Sequence, residues 1–272
     1  MSEVNKDNLI DIEAVIAGKF KGKKVPKFLV NFFKKFMHED FLNSIIIDSG
    51  KDGIPFCQDV IDHLGAEVEI VGLENVPDDG SIYTFASNHP LGAVDGLAIC
   101  GAVGTKFGGN VRAVVNDFLL YIKPLRSIFI GVNKVGGQSR NLPRIIDEAF
   151  ASKNHMIMFP AGTCSRKVDG KIQDLEWMKV FVKKSVEYGR PIVPVHFIGT
   201  NSKRFYRVAN LNKKLGIKFN IAMLLLPDEM VRTKGKKFKM IFGKPIAPEF
   251  FDKSKTPQEW AQWLRAKVYE LN

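Results

Sequence analysis

IYTFASNHPLGAVDG, residues 82–96, joins a strand-like run to a helix-like run through a Pro-Leu-Gly turn. The apolar and β-branched residues up to Ser87 predict a buried strand, and Pro90 and Gly92 predict the turn. The run that begins near Ala93 predicts a helix. A strand followed directly by a helix is the repeating unit of an α/β fold, so this stretch indicates the fold class.

The same alternation continues on both sides of this stretch. The strand-like runs are VEIVGL, IYTFAS, VRAVVN, HMIMFP, IVPVHFIG and FKMIFGKPI. The helical patterns are SRNLPRIIDEAFASK, DLEWMKVFVKKSVEYG and TPQEWAQWLRAKVYEL, the last with Thr256 as N-cap and Pro257 at the first helical position. The stretch FNIAMLLLPDEM fits a strand or a helix. The sequence therefore predicts an α/β fold with a mostly parallel central sheet flanked by helices on both faces.

An amphipathic helix is predicted near the N-terminus, in PKFLVNFFKKFMHEDFLNSIII from Pro26. Its phenylalanines recur at helical spacing, and basic residues flank it at Lys21, Lys23, Lys24 and Lys27. Such a helix either packs on the core or lies at a membrane interface. We expect residues 1–50 to form a helical, membrane-associating segment and residues 51–272 to form one α/β domain.

Composition and charge narrow the class of protein. The 272 residues are 45% hydrophobic and carry a formal net charge of +11, with a sequence pI near 9.5. The length allows one large globular domain, and the charge favours an acidic partner such as anionic lipid, an acidic protein or nucleic acid. Three widely spaced cysteines indicate neither a disulfide framework nor a zinc site. With no signal peptide and no run of about 18 apolar residues, we expect a cytoplasmic protein.

His89 and Asp95 are the strongest candidates for chemistry. Five residues separate them, so on one continuous helix they would point about 120° apart. If the helix begins only near Ala93, Asp95 lies in its first turn and His89 stays on the loop, where the two can meet. A histidine oriented by a carboxylate is a general base. The alternative is structural, with Asn88 and His89 capping a turn and Asp95 capping the helix.

The sequence lacks the motifs of several other classes of enzyme and binding site. The chain has no G-x-S-x-G elbow, no G-x-G-x-x-G and no phosphate-binding loop. The remaining histidines, which are His38, His63, His155 and His196, show no metal-ligand spacing. His155 and His196 lie in apolar strand runs and are expected to be core histidines. We therefore expect no metal and no redox cofactor, and we expect direct transfer without a covalent enzyme intermediate.

Three segments together resemble a known family. SNHPLGAVDG, FPAGTCSRK and IVPVHFIGTNS occur in the order and approximate spacing of the lysophospholipid acyltransferase family, in particular its haemolysin-like, aminolipid-associated bacterial branch. The resemblance covers roughly residues 65–250. It implies that His89 is the base, that Asp95 orients it, and that Asn88 is the residue that commonly precedes the histidine. It also implies an acyl thioester of acyl carrier protein or coenzyme A as donor and a lysolipid hydroxyl as acceptor.

The departures from the family pattern concern the acceptor. The common motif has four residues between His and Asp, although the haemolysin-like branch resembles this chain in having five. Where the family usually has Glu and Arg, this chain has Ala161 and Cys164. Arg166, two positions later, and Lys167 carry positive charge that suits a carboxylate headgroup. The resemblance leaves both a lysophospholipid, such as lysophosphatidate, and a lyso-aminolipid, an N-acyl amino acid, as acceptors.

Asn88, Arg166 and four further residues are predicted to contact substrate. Gly162, Thr163 and Ser165 would form a turn after HMIMFP whose N–H groups face an anion or a developing oxyanion. Lys134 replaces an arginine of the family's second motif, and it either contacts the acceptor headgroup or is a solvated loop lysine. VDGKIQDLEW and GTNSKRFY, which also resemble the haemolysin-like branch, are expected to support the site.

Two functions from different classes remain at this point. The first is an O-acyltransferase, similar to 1-acylglycerol-3-phosphate acyltransferases, attached peripherally to the inner face of the plasma membrane. The second is a basic lipid- or nucleic-acid-binding protein without catalysis. The dispersed lysines argue against nucleic acid, since nucleic-acid binders usually cluster basic and stacking aromatic residues on one element.

Overall fold

The computed structural model describes residues 8–19, 26–132, 141–216 and 220–272. Its helices are α1 (Ile12–Lys19), α2 (Lys27–Phe36), α3 (Glu39–Ser49), α4 (Gly53–His63), α5 (Val94–Lys106), α6 (Leu142–Ala151), α7 (Val180–Glu187), α8 (Lys203–Lys214), α9 (Leu226–Val231) and α10 (Pro257–Glu270). Its strands are β1 (Glu67–Val71), β2 (Thr84–Ser87), β3 (Val111–Asn116), β4 (Phe129–Val132), β5 (His155–Met158), β6 (Arg166–Val168), β7 (Lys171–Gln173), β8 (Ile192–Ile198) and β9 (Lys237–Phe242).

Seven of the strands form one sheet, in the order β1-β9-β8-β2-β5-β3-β4. Every neighbouring pair is parallel except β8 and β9, which are antiparallel. The predicted mostly parallel sheet is therefore confirmed. The six strand-like runs of the sequence all contain strands of this sheet, whereas β4 and the separate β6–β7 hairpin are additions that the sequence analysis did not identify.

Both faces of the sheet are covered, as predicted. Successive residues of a strand point to opposite faces, and in β2 Phe85 joins one core cluster while Ala86 joins the other. The first cluster includes apolar residues of α3, α4 and α5, and the second includes apolar residues of α6, α7 and α10. The predicted N-cap of α10 is also present, because Thr256 and Glu259 form a capping box.

The N-terminal amphipathic pattern forms two helices rather than one. His38 adopts a left-handed conformation between α2 and α3, with φ 53°, and interrupts the helix there. Met37, Ile45 and Ile46 join the first core cluster, so these helices pack on the α/β body. Phe28 and Phe32 of α2, in contrast, are 70% and 58% exposed. The division into a segment of residues 1–50 and a domain of residues 51–272 stays a prediction.

Within the undecided stretch FNIAMLLLPDEM, whose first residue lies outside the described residues, Ile221–Leu225 form a short 3₁₀ helix that is followed by α9. In the part of the chain that the structure describes, no helix combines the length and the apolar character needed to cross a membrane.

The topology brings three loops together. β8, β2 and β5 are adjacent and parallel, so their carboxyl ends lie at the same edge of the sheet. Residues 88–96 follow β2, residues 159–167 follow β5, and residues 199–202 follow β8. Ligands of open α/β sheets commonly bind beyond the carboxyl ends of the strands. This edge is therefore where a functional site is expected.

Candidate active site

Residues 88–96, here called the His89 loop, turn sharply between β2 and α5. α5 begins at Val94, so Asp95 lies in its first turn and His89 stays outside the helix. Gly92 has φ 84°, a conformation that glycine adopts without strain. A Cβ at this position would also collide with Cys164 Sγ and with the side chain of Leu226. The glycine thus lets the chain reverse tightly enough to bring Asp95 back to His89.

His89 and Asp95 form a hydrogen-bonded pair, with 3.1 Å between Nδ1 and Oδ2. Burial acts to raise the pKa of Asp95, but the His89 charge and the hydrogen bonds from His89, Leu91 and Gly92 outweigh it and hold this pKa below its usual value. Asp95 is therefore ionised near neutral pH. An ionised carboxylate only accepts hydrogen bonds, so Nδ1 carries the hydrogen and Nε2 keeps the lone pair that a base needs.

Asp95 also organises the turn itself. Its Oδ2 accepts hydrogen bonds from the backbone N–H groups of Leu91 and Gly92, at 2.9 and 3.3 Å, and its Oδ1 accepts one from Gly96 at 2.9 Å. Asp95 is fully buried. The N-cap of α5 is Ala93, without a side-chain capping hydrogen bond, so Asp95 orders the turn before the helix and contacts His89 rather than serving as the N-cap.

The His89 ring is held in a mostly buried position. It stacks on Phe159, with 4.1 Å between the ring centroids, and its side chain is 16% exposed. A ring that is fixed on one nitrogen by Asp95 and on one face by Phe159 has few orientations left. The pair can accept a proton from a hydroxyl group and stabilise the resulting imidazolium.

Two asparagines hold the backbone on either side of His89. Asn88 is buried, and its amide makes two hydrogen bonds with the backbone of Phe197 in β8, at 2.7 and 2.9 Å. Asn201 Nδ2 donates to the carbonyls of Pro90 and Leu91, at 3.1 and 3.3 Å. The Asn88 amide thus fastens the His89 loop to the sheet, and its contact with substrate stays a prediction.

Residues 159–167, here called the third-motif loop, lie beside the His89 loop. Gly162 has φ 63°, and its N–H donates to the carbonyl of Phe159 at 2.8 Å. Arg166 crosses back over the turn, donating to Thr163 Oγ1 at 2.9 Å and to the carbonyls of Cys164 and Ser165 at 2.5 and 3.3 Å. Arg166 also lies over the ring of Phe205, 5.6 Å from its centroid.

Ser165 connects the two loops. It is buried, its N–H donates to the carbonyl of His89 at 2.8 Å, and its Oγ donates to Asp174 at 2.6 Å. Its hydroxyl is thus engaged within the protein, so substrate binding by Ser165 stays a prediction. Of the predicted site residues, the structure groups His89, Asp95, Asn88, Gly162, Thr163, Ser165 and Arg166 at one edge of the sheet. Lys134 lies outside the described residues.

Three contributors to this site were not predicted from the sequence as individual residues. Phe159 supports the His89 ring, Asn201 holds the turn, and Asp174 accepts a hydrogen bond from the His89 N–H at 3.2 Å. All three lie within segments that had been identified by resemblance, but nothing in their spacing revealed the contacts. Among the described residues, no group of three or more histidines, cysteines, aspartates and glutamates is placed to hold a metal ion.

Two curated proteins are similar over nearly the whole chain. A lyso-glycine lipid O-acyltransferase of Phocaeicola vulgatus is 50% identical over 97% of this chain and 95% of its own length. A protein of the same name from Bacteroides thetaiotaomicron is 45% identical over 97% of both chains. Among solved structures, the 1-acyl-sn-glycerophosphate acyltransferase PlsC of Thermotoga maritima matches with a TM-score of 0.48 and 18% identity, covering 95% of this chain and 88% of its own.

A sequence profile of the acyltransferase family matches residues 15–272. This match and the two relatives span the His89 loop, the third-motif loop and the sheet that positions them. The chain therefore belongs to the acyltransferase family.

Proposed function

We propose that this acyltransferase transfers a fatty acyl group from an acyl thioester to the hydroxyl of a lyso-glycine lipid. The observation that carries the proposal is the His89–Asp95 pair, with 3.1 Å between Nδ1 and Oδ2, in a chain 50% identical to a lyso-glycine lipid O-acyltransferase. Both acyl carrier protein and coenzyme A are candidate carriers of the donor acyl group.

His89 Nε2 takes the proton of the acceptor hydroxyl as the oxygen attacks the thioester carbonyl. The new C–O bond forms a tetrahedral intermediate, and Asp95 stabilises the imidazolium that His89 has become. The C–S bond then breaks, and the imidazolium returns its proton to the departing thiolate. Protons and electron pairs balance without any further reactant.

Arg166 is the proposed contact for the acceptor carboxylate. A guanidinium has five N–H donors, and the three hydrogen bonds that Arg166 makes to Thr163, Cys164 and Ser165 leave two of them free within the described residues. An N–H pair on a planar guanidinium suits a carboxylate. The free carboxylate of a glycine headgroup supplies this chemistry. A phosphate would suit the same N–H pair, so the choice of lyso-glycine lipid over a phosphate acceptor rests on the 50% identical relative.

The protein is proposed to reach its lipid acceptor from a membrane surface. Phe28 and Phe32 are exposed on α2, and Phe36 of the same helix packs against the cluster that contains Cys164 of the third-motif loop. A helix that inserts these phenylalanines would place the third-motif loop beside the bilayer. The net charge of +11 would add attraction to anionic lipid, as on the inner face of a plasma membrane.

The direct test measures thiol release from acyl carrier protein thioesters and from acyl coenzyme A, each offered with lyso-glycine lipid or with lysophosphatidate. We expect release with lyso-glycine lipid, and a loss of about 10²- to 10⁴-fold in His89→Ala, since that is the usual contribution of a general base. Asp95→Asn should lose nearly as much.

Circular dichroism and the unfolding midpoint show whether each variant remains folded. Full activity in folded His89→Ala would overturn the mechanism. Thiol release with lysophosphatidate alone would instead overturn the proposal that lyso-glycine lipid is the acceptor.

A further inference from the structure

A second buried carboxylate, that of Asp174, lies next to the backbone of His89. Asp174 directly follows β7 and is 1% exposed. Its Oδ1 accepts hydrogen bonds from the backbone N–H of His89, at 3.2 Å, and from Ser165 Oγ, at 2.6 Å. Because Ser165 N–H donates in turn to the His89 carbonyl, Asp174 and Ser165 together engage both backbone polar groups of His89.

Asp174 is itself fixed by Trp177 and by the C-terminal helix α10. Its Oδ2 accepts a hydrogen bond from Trp177 Nε1 at 2.9 Å, and its backbone N–H donates to the hydroxyl of Tyr269 at 2.7 Å. Trp177 is fully buried, and Tyr269 belongs to α10. Asp174 therefore links the two parts of the chain: its backbone N–H contacts the C-terminal helix, and its carboxylate contacts the His89 loop.

Burying an ionised carboxylate this deeply costs folding free energy, because the charge loses its hydration. Burial raises the pKa of Asp174 above its usual value, although the hydrogen bonds from Ser165 and Trp177 and the His89 charge oppose this effect. Apolar residues of similar volume often stabilise a fold as well as buried ionic groups do. A buried carboxylate aimed at the backbone of the proposed base thus points to a role beyond packing.

We propose that Asp174 is a positioning residue for His89. It fixes the backbone from which the imidazole projects, while Asp95 fixes the ring, so that Nε2 stays in reach of the acceptor hydroxyl. Displacements of about 1 Å at a reacting group can cost about 10²-fold in rate. This inference rests on the proposed function of His89 as general base.

Asp174→Asn tests the role. Three donors, from His89, Ser165 and Trp177, face the two carboxylate oxygens, whereas an amide offers one oxygen and turns its N–H₂ group toward a donor on the other side. We expect kcat for acyl transfer to fall about 10- to 100-fold while KM for the lysolipid and for the thioester stays within roughly two-fold. A merely structural residue would lower the unfolding midpoint without this division between kcat and KM.

Asp59→Asn is the control. Asp59 lies in α4, away from the three loops of the site, and its half-buried carboxylate accepts hydrogen bonds from Ser49 Oγ at 2.6 Å and from Lys51 Nζ at 3.0 Å. The same carboxylate-to-amide change there should destabilise the fold and leave kcat within roughly two-fold of wild type. Equal losses of kcat in the two variants would overturn the proposal.

Ser165→Ala serves if Asp174→Asn does not fold. It removes one donor from Asp174 and leaves the carboxylate in place, and we expect a several-fold loss of kcat with KM unchanged. Wild-type kcat in this variant, or in folded Asp174→Asn, would overturn the positioning role while His89→Ala remained inactive. An active His89→Ala would instead reject the general-base function on which the inference rests.

Discussion

Arg166 lies in the third-motif loop, where this chain lacks the glutamate and arginine that are usual in the family it resembles. If its free N–H groups bind the acceptor carboxylate, Arg166→Lys keeps the charge but loses the planar pair of donors. Hydrogen bonds to charged groups contribute about 1.5–3 kcal/mol, so we expect KM for lyso-glycine lipid to rise about 10-fold or more. Steady-state kinetics with varied acceptor measure this change.

The methyl ester of lyso-glycine lipid separates binding from loop structure. It has no carboxylate charge, so Arg166→Lys should use it as well as the wild-type enzyme does. Arg207→Lys, at an exposed position of α8, is the control for an arginine-to-lysine change and should leave both KM values unaltered. A similar rise in KM for the acid and for the ester would mean that Arg166 acts by shaping the third-motif loop.

The residues of this site differ in how far they could be predicted. His89 and Asp95 are close in sequence, so a strand-to-helix boundary and a turn were enough to predict that they meet. Asp174 and Asn201 reach the His89 loop across 85 and 111 positions of the chain. Those contacts depend on the order of strands in the sheet, which local periodicity does not encode.

At the scale of elements, the amphipathic helix α2 presents two phenylalanines away from the core. We expect Phe28→Ser with Phe32→Ser to weaken binding to vesicles of equal parts phosphatidylglycerol and phosphatidylcholine by about tenfold or more. The reason is that burying one phenylalanine side chain is worth about 1.5–3 kcal/mol. Sedimentation with vesicles at low salt measures the change, and the unfolding midpoint should stay close to wild type since both residues are exposed.

Phe250→Ser provides the control for this helix. Phe250 is 48% exposed and contacts Trp260 and Trp263 of α10, on the face of the sheet opposite the first core cluster. Its loss should leave vesicle binding unchanged. Equal weakening by both sets of substitutions would contradict a membrane face formed by α2, and so would vesicle binding that survives in the α2 variant.

The elements that were not predicted from the sequence have weak or misleading local patterns. β6 and β7 have three residues each, which is too short for an alternating pattern to stand out. β4 has four residues, like β2 and β5, but Gly131 interrupts its apolar run. The helix break at His38 was missed for a related reason: Met37 and Phe41, four positions apart, continue the apolar pattern across it. The other strands of the sheet are uninterrupted apolar or alternating runs, and α10 carries a capping box, so these elements were predicted correctly.

At the scale of the whole molecule, the candidate site lies at the carboxyl ends of the parallel strands, and a buried histidine, His155, lies at the opposite end of one of them. His155 begins β5, at the end of the strand remote from the third-motif loop. It is 6% exposed, its ring centroid lies 4.1 Å from that of Phe107, and its Nδ1 accepts a hydrogen bond from the Tyr83 N–H at 3.1 Å. This histidine therefore bears on folding stability rather than on the chemistry at His89.

We expect the unfolding free energy to fall as the pH is lowered from about 6.5 to about 4. Burial, with a smaller contribution from the Arg190 charge, lowers the pKa of His155 from 6.5 to about 4. In this window the unfolded chain binds a proton that the folded protein does not, so the stability from neutral His155 is complete above the window and lost below it. The loss is on the order of 3 kcal/mol.

Urea unfolding of wild type and His155→Asn across this pH range isolates the contribution. An asparagine Oδ1 can still accept from Tyr83 N–H, but the residue no longer titrates and the ring contact with Phe107 is lost. The variant should therefore have a lower unfolding free energy at neutral pH. Its unfolding free energy should also change less steeply with pH between about 6.5 and about 4. Carboxylates such as Asp95 titrate in both proteins and cancel from the difference between the two curves. Parallel curves would mean that the imidazole of His155 binds its proton equally well in the folded and unfolded states.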